Sequence, residues 1–163
     1  MELLDYEREF LEYVKDHKRR VSKFGNVIGK NYDSHDNSKL DILFKPYALM
    51  KKKDKTLEDE QALDLATFVH VKNSPHHPEY WTSTNLEGFT RKNTNPHGPL
   101  ECYEMIDEAL LEMCADWCAM SETHDNTPFE WFNKVKLTRW LFSQCQEQLI
   151  YRTLKQMWEN RWN

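Results

Sequence analysis

The stretch ELLDYEREFLEYVKDHKRR, residues 2–20, decides the fold class. Leu3, Phe10, Val14, His17 and then Val21 fall on one face of a helix, so the segment reads as an amphipathic helix rather than a strand. The same face carries His17. Taken alone, a histidine in an apolar stripe is a core residue with a satisfied hydrogen bond. Reading outward, Gly25 to Ser34 is a loop rich in Gly, Asn and Asp. A second helix is expected from His35-Asp36 to about Lys53, with Pro46 as a kink or break. A third runs from Thr56 to about Lys72, where Thr56 and Asp59 resemble a capping box and Leu63, Ala66 and His70 share the inner face. Asn73-Ser74-Pro75 ends it.

After a short segment, His76 to Trp81, comes a polar stretch from Thr82 to Pro99, the longest irregular part of the chain and a place where function is often found. A fourth helix is expected from Pro99 to about Glu122, with Met105, Ala109, Glu112 and Asp116 along one side. N-cap and Pro signals at 125–129 introduce a last helix to about Trp158, with Leu137, Leu141, Cys145 and Leu149 at i,i+4 spacing. The expected fold is all-α: a single-domain bundle of about five to six helices with no convincing strand. Its core would span residues 2–122 and its C-terminal helix residues 128–160.

Bulk properties agree. A chain of 163 residues forms one domain with a substantial core, six Trp argue for packing, and four Gly disfavour a turn-rich β fold. The formal charge of -5 implies no overall electrostatic pull toward nucleic acid. The basic clusters at 18–20 and 51–53 read as solvated helix ends. No apolar run is long enough to cross a membrane. Cysteines at 102, 114, 118 and 145, with no leader before them, are expected to be free thiols in a cytoplasmic protein. Cys114 and Cys118 share a helix face and could ligate a metal, but without a second pair they read as buried thiols.

The chemistry lies in an ordered series: His17, His35-Asp36, His70, His76-His77 and Asp116. These ligand types suit divalent Fe, Mn, Zn, Co or Ni. His17, His70 and Asp116 each fall on the inner face of a different expected helix. Asp116 lies among Met113, Trp117 and Met120, where a buried carboxylate needs a cation or strong donors. His35 and Asp36 point about 100° apart on a helix. They could both reach one centre, or bridge two with Asp36 between; equally, Asp36 could be an N-cap with His35 in the loop.

This order resembles the HD superfamily of all-helical, metal-dependent phosphohydrolases. There a first helix gives a His, a second the His-Asp doublet and a later helix an Asp. His70 and His76-His77 resemble the additional ligands of two-metal members, closest to the HD-GYP branch. The run His35-Asp36-Asn37-Ser38-Lys39, then His70, then His76-His77-Pro78-Glu79-Tyr80-Trp81 carries the likeness. It spans residues 17–116. Thr82-Ser83-Thr84 stands where that branch has Gly-Tyr-Pro, and the His70 to His76 spacing is shorter. The segments 76–81 and 112–117 also resemble motifs of a small uncharacterised bacterial and phage family.

The resemblance implies one or two divalent transition metals. His17, His35, Asp36 and Asp116 would hold the first; a bridging Asp36 with His70 and one or both of His76 and His77 would hold the second. A metal-activated water would attack a nucleotide or other phosphate ester. Lys39 could meet a phosphate as a point charge or simply face solvent. Glu112, one turn before Asp116, would orient a ligand or form a surface ion pair. Glu79 would donate a proton, support a ligand, or serve only in a turn. Tyr80 and Trp81 would stack on a base or close the core. Arg91, Lys92 and His97 could form a lid over an anionic substrate. Two other functions fit the same ligand order: an HD-type diiron oxygenase, and a non-catalytic binding protein containing a metal.

Overall fold

A computed structural model describes residues 2–163. It is mainly α, a single compact domain. The helices are α1 (Asp5–Val27), α2 (Phe44–Ala48), α3 (Leu57–Asn73), α4 (Pro78–Trp81), α5 (Asp107–Ser121), α6 (Pro128–Val135) and α7 (Gln144–Glu159). Short 3-10 turns cover Asn37–Leu40 and Leu49–Lys51. Two tiny strands, β1 (Leu100–Glu101) and β2 (Trp140–Leu141), pair in parallel, with Leu100 opposite Trp140.

The long helix α1 is shared by two apolar cores. Phe10 and Val14 pack with Leu43, Tyr47, Ala48, Leu63 and Ala66 in the smaller core. Val21 and Phe24 pack with α5, α6 and α7 in the larger one, around Leu110, Met113, Phe132, Ile150, Leu154 and Met157. His17 lies on the same face between Val14 and Val21 and is buried. The junction of the two cores is therefore polar.

Several expected elements differ. Helix α1 runs on to Val27, beyond the basic cluster. The chain then turns back on Gly25, whose carbonyl accepts from the amides of Ile28 (3.0 Å) and Lys30 (2.9 Å). A Cβ on Gly25 would stand 2.6 Å from the Tyr32 ring, so the return path requires glycine. The expected helix over 35–53 is broken. Asp36 is left-handed (φ 56°), and the chain continues as a 3-10 turn, then the five residues of α2 and a second 3-10 turn. Asp36 stands at the N-cap position of that turn, but its side chain makes no capping hydrogen bond.

Helix α3 begins with the Thr56–Asp59 capping box. The fourth expected helix starts at Asp107, not Pro99, because Leu100 and Cys102 donate to Arg139 and Leu141 carbonyls. The last expected helix is two helices separated by β2. Leu137, at φ 68° and two-thirds exposed, marks the break; the i,i+4 series through it crosses two elements, and Cys145 is exposed. The buried face of α7 is Gln146, Ile150, Thr153, Leu154 and Met157. No helix among the described residues is long and apolar enough to cross a membrane.

Candidate metal centre

The turn after α1 carries His35 and Asp36 back against His17. Lys18 braces it: its ammonium donates to the carbonyls of Asp33 (2.8 Å) and His35 (2.7 Å) and to the Asn37 side chain. α3 delivers His70 from its last turn, the 74–77 turn delivers His76 and His77, and α5 delivers Asp116 and Glu112.

Asp36 is the centre of the group. Its Oδ2 faces His17 Nε2 (3.8 Å) and His35 Nε2 (3.6 Å), while its Oδ1 faces His70 Nε2 (3.1 Å) and His76 Nε2 (3.5 Å). Asp116 Oδ1 lies 3.0 Å from His17 Nε2 and 3.9 Å from His35 Nε2. His77 and His70 face each other through Nε2 at 3.1 Å. Three groups thus have ligand atoms within 4.8 Å of one another: Asp36, His70, His76 and His77; His17, His35 and Asp36; and His35, His76 and Asp116.

The donor set fits a metal ion. Two atoms bound to one ion at metal–nitrogen distances of about 2.0–2.1 Å lie about 2.9–3.4 Å apart for adjacent positions. His17–Asp116 (3.0 Å), His70–Asp36 (3.1 Å) and His70–His77 (3.1 Å) have that separation, while Asp36 Oδ2 stands farther from His17 (3.8 Å) and His35 (3.6 Å). His35 Nε2, Asp36 Oδ1 and His76 Nε2 are buried without a partner of hydrogen-bond geometry, which is costly unless a cation meets them. The outer nitrogens are occupied. His35 Nδ1 donates to Glu112 Oε1 (2.9 Å), and His70 Nδ1 meets the hydroxyls of Ser38 (3.1 Å) and Ser74 (3.2 Å). This leaves Nε2 of both rings for the centre, as supporting contacts around a metal do. The buried His/Asp groups can therefore hold a metal ion.

Protonation suits ligation at Asp36, Asp116, His70 and His77 and opposes it at His76. Burial pushes the Asp36 carboxyl up, but the charges of Lys39 and His35 outweigh it and hold it well below the usual carboxylate range. Asp116 is also held well below that range, burial being outweighed by His17. Burial lowers His70, and burial with the neighbouring His76 and His70 lowers His77 further, toward the neutral imidazole that a metal needs. His76 is raised, because Asp36 outweighs its burial.

The other candidates divide. Lys39 lies in the cavity and donates to Asp36 Oδ2 (2.6 Å). Glu112 supports His35. Glu79 is fully buried away from the histidines; its Oε1 accepts from Arg139 Nη2 (3.2 Å) and Trp140 Nε1 (3.3 Å). Arg91 lines the cavity but is held by Asp64 and Glu60. Lys92 and His97 are exposed, Tyr80 is on the outside, and Trp81 packs on the larger core. Cys114 and Cys118 are buried thiols in that core, their pKa pushed up by burial, and belong to none of the ligand groups.

Sequence reasoning missed Lys18, Ser38, Ser74 and Arg139. Ser38 stands within a quoted motif without a role, Ser74 beside one and Lys18 beside His17, but their partners are carbonyls and ring nitrogens brought close only by the fold. A cavity of 480 Å³ opens over the cluster; Trp117, Trp131, Trp140 and Met120 supply apolar walls.

Fold and cluster define a mainly α protein with a buried His/Asp group able to hold a metal ion. The chain belongs to DUF5662, a family of unknown function, whose profile matches residues 6–156. No curated protein and no solved structure matches it.

Proposed function

We propose that this protein is a metal-dependent phosphohydrolase of the HD type, acting on a nucleotide or other phosphate ester. One observation carries the reading: Asp36 presents one carboxylate oxygen to His17 and His35 and the other to His70 and His76. Placed so, Asp36 would serve two divalent ions. His17, His35, Asp36 and Asp116 would hold one ion, and Asp36, His70, His76 and His77 the other. Bound there, such ions supply Lewis acidity toward phosphoryl oxygens and acidify water near neutral pH.

The protein's own groups do the positioning. Glu112 holds the His35 ring with Nε2 inward, and Ser38 and Ser74 do the same for His70. Lys39 places an ammonium beside Asp36 at the cavity floor, where it can neutralise a phosphoryl oxygen. The apolar walls exclude water around the substrate and strengthen these charge interactions. Glu79 is given no part in proton transfer here: its Oε1 accepts from Arg139 and Trp140, and its Oε2 is buried.

The test is a panel of phosphate monoesters, diesters and nucleotides with protein reconstituted in Mn, Co, Ni, Mg or Fe. Release of phosphate or nucleoside monophosphate is expected with wild type and not with a folded Asp36→Ala variant. Oxygen consumption by a two-iron form with no hydrolysis across the panel would replace this reading with the oxygenase.

A further inference from the structure

We propose that Arg139 is a second oxyanion-binding point, so that the substrate carries an anionic group besides the one placed at the His/Asp cluster. The inference rests on the phosphohydrolase reading for the first group, and on separate observations for the second. Arg139 lines the same cavity as Asp36, Asp116 and the histidines. Three strong cations line that cavity, and each meets a carboxylate: Arg91 meets Asp64 and Glu60, Lys39 meets Asp36, and Arg139 meets Glu79 at 3.2 Å, the longest of these pairings. Arg139 makes one side-chain hydrogen bond, from Nη2 to Glu79 Oε1; its Nε and the Glu79 Oε2 are both buried without a partner. A guanidinium has five N–H donors in a planar fork that matches a carboxylate or phosphoryl group. Most of that capacity is uncommitted.

The fold also invests in placing it. Arg139 is fixed at both backbone groups, its amide donating to Val135 O (2.8 Å) and its carbonyl accepting from Leu100 N (2.9 Å). The turn that achieves this holds Leu137 in the left-handed region, at a conformational cost. The guanidinium lies 4.2 Å from the Trp140 ring, and Trp140 stacks on Trp117 at 5.8 Å. These aromatic groups, with Trp131, form an apolar wall of the cavity. The substrate class is thus a phosphate ester with an apolar middle and a second oxyanion at its far end.

The test uses non-hydrolysable alkylphosphonates of increasing chain length, each with a terminal methyl, carboxylate or second phosphonate. Binding to metal-loaded protein is read by titration calorimetry, which needs no turnover. At one chain length, a terminal oxyanion should tighten binding about 10- to 100-fold, the value of a charge-assisted hydrogen bond. The carboxylate and phosphonate arms tell which oxyanion is preferred. Arg139→Gln should erase that gain and leave metal content and binding of the methyl-ended probes unchanged. Because that variant strands the buried Glu79, the Glu79→Gln/Arg139→Gln double variant is measured beside it, with the same expected loss. Phosphonate binding with no gain from any terminal oxyanion, or a gain that survives the double variant, overturns the Arg139 assignment and leaves the phosphohydrolase reading standing. No binding of any phosphonate overturns both.

Discussion

The larger apolar core and the His/Asp interior are neighbours on α1, yet they are held by opposite physics. Phe24, Leu110, Phe132, Ile150 and Leu154 are fully buried and need no partners. His35, Asp36, His70 and His76 are at most 5% exposed, and three of their atoms lack hydrogen bonds. Area removed from water stabilises the first region. The second costs stability unless a cation satisfies its lone pairs. A helix with Val14, His17 and Val21 on one face serves both, so neighbouring substitutions should have separable effects.

The largest expected effect breaks the apolar side alone. Phe132→Ala should cost about 3–5 kcal/mol in denaturant unfolding, with metal content of the remaining folded protein unchanged. Metal loss from folded Phe132→Ala would show that the regions are not separable. Next, Glu112→Gln weakens the orienting contact on His35 without opening a cavity. Metal affinity should fall about 10- to 100-fold in a chelator competition, while unfolding of the metal-free protein stays near wild type.

Smaller effects sharpen the comparison at positions outside both regions. Leu137→Asn keeps the left-handed turn with a residue that tolerates it, and should raise stability by up to about 1 kcal/mol. A loss of stability instead would mean that the exposed Leu137 side chain packs more than its exposure suggests. The smallest is a pH effect at Glu7. The hydrogen bond from Lys45 and the amide of Leu4 hold its carboxyl below the ordinary value. A carboxyl with a lowered folded pKa stabilises the fold above its unfolded pKa, and that stability is lost as pH falls through the folded value. Wild type should therefore exceed Lys45→Met near neutrality, with the difference closing in acid unfolding curves; a constant difference would refute the linkage.

The sequence exposes the regular parts of this fold and hides the irregular ones. α1 and α3 follow from apolar periodicity, and the Thr56 cap from its own chemistry. The break at Asp36 was hidden because an aspartate in the left-handed region resembles a helix start in sequence. The break at Leu137 was hidden because Leu137, Leu141, Cys145 and Leu149 mimic one stripe across two elements. In the site, seven residues could be named as ligands from their types and order, and the fold brings all seven together. Glu79 shows the limit: its place beside two histidines in sequence suggested chemistry, but α4 turns its carboxylate toward Arg139 and Trp140. Arg139 itself could not be read, because a lone arginine near a chain turn has no motif.

The most direct test is the metal content of protein purified without an affinity histidine tag, measured by inductively coupled plasma mass spectrometry. About two transition-metal ions per chain are expected, falling to fewer than one in Asp36→Ala, since ligand sets of this kind retain their metals. Fewer than about 0.2 ions per wild-type chain, with no uptake on reconstitution, would contradict the assignment of the His/Asp cluster as a metal centre.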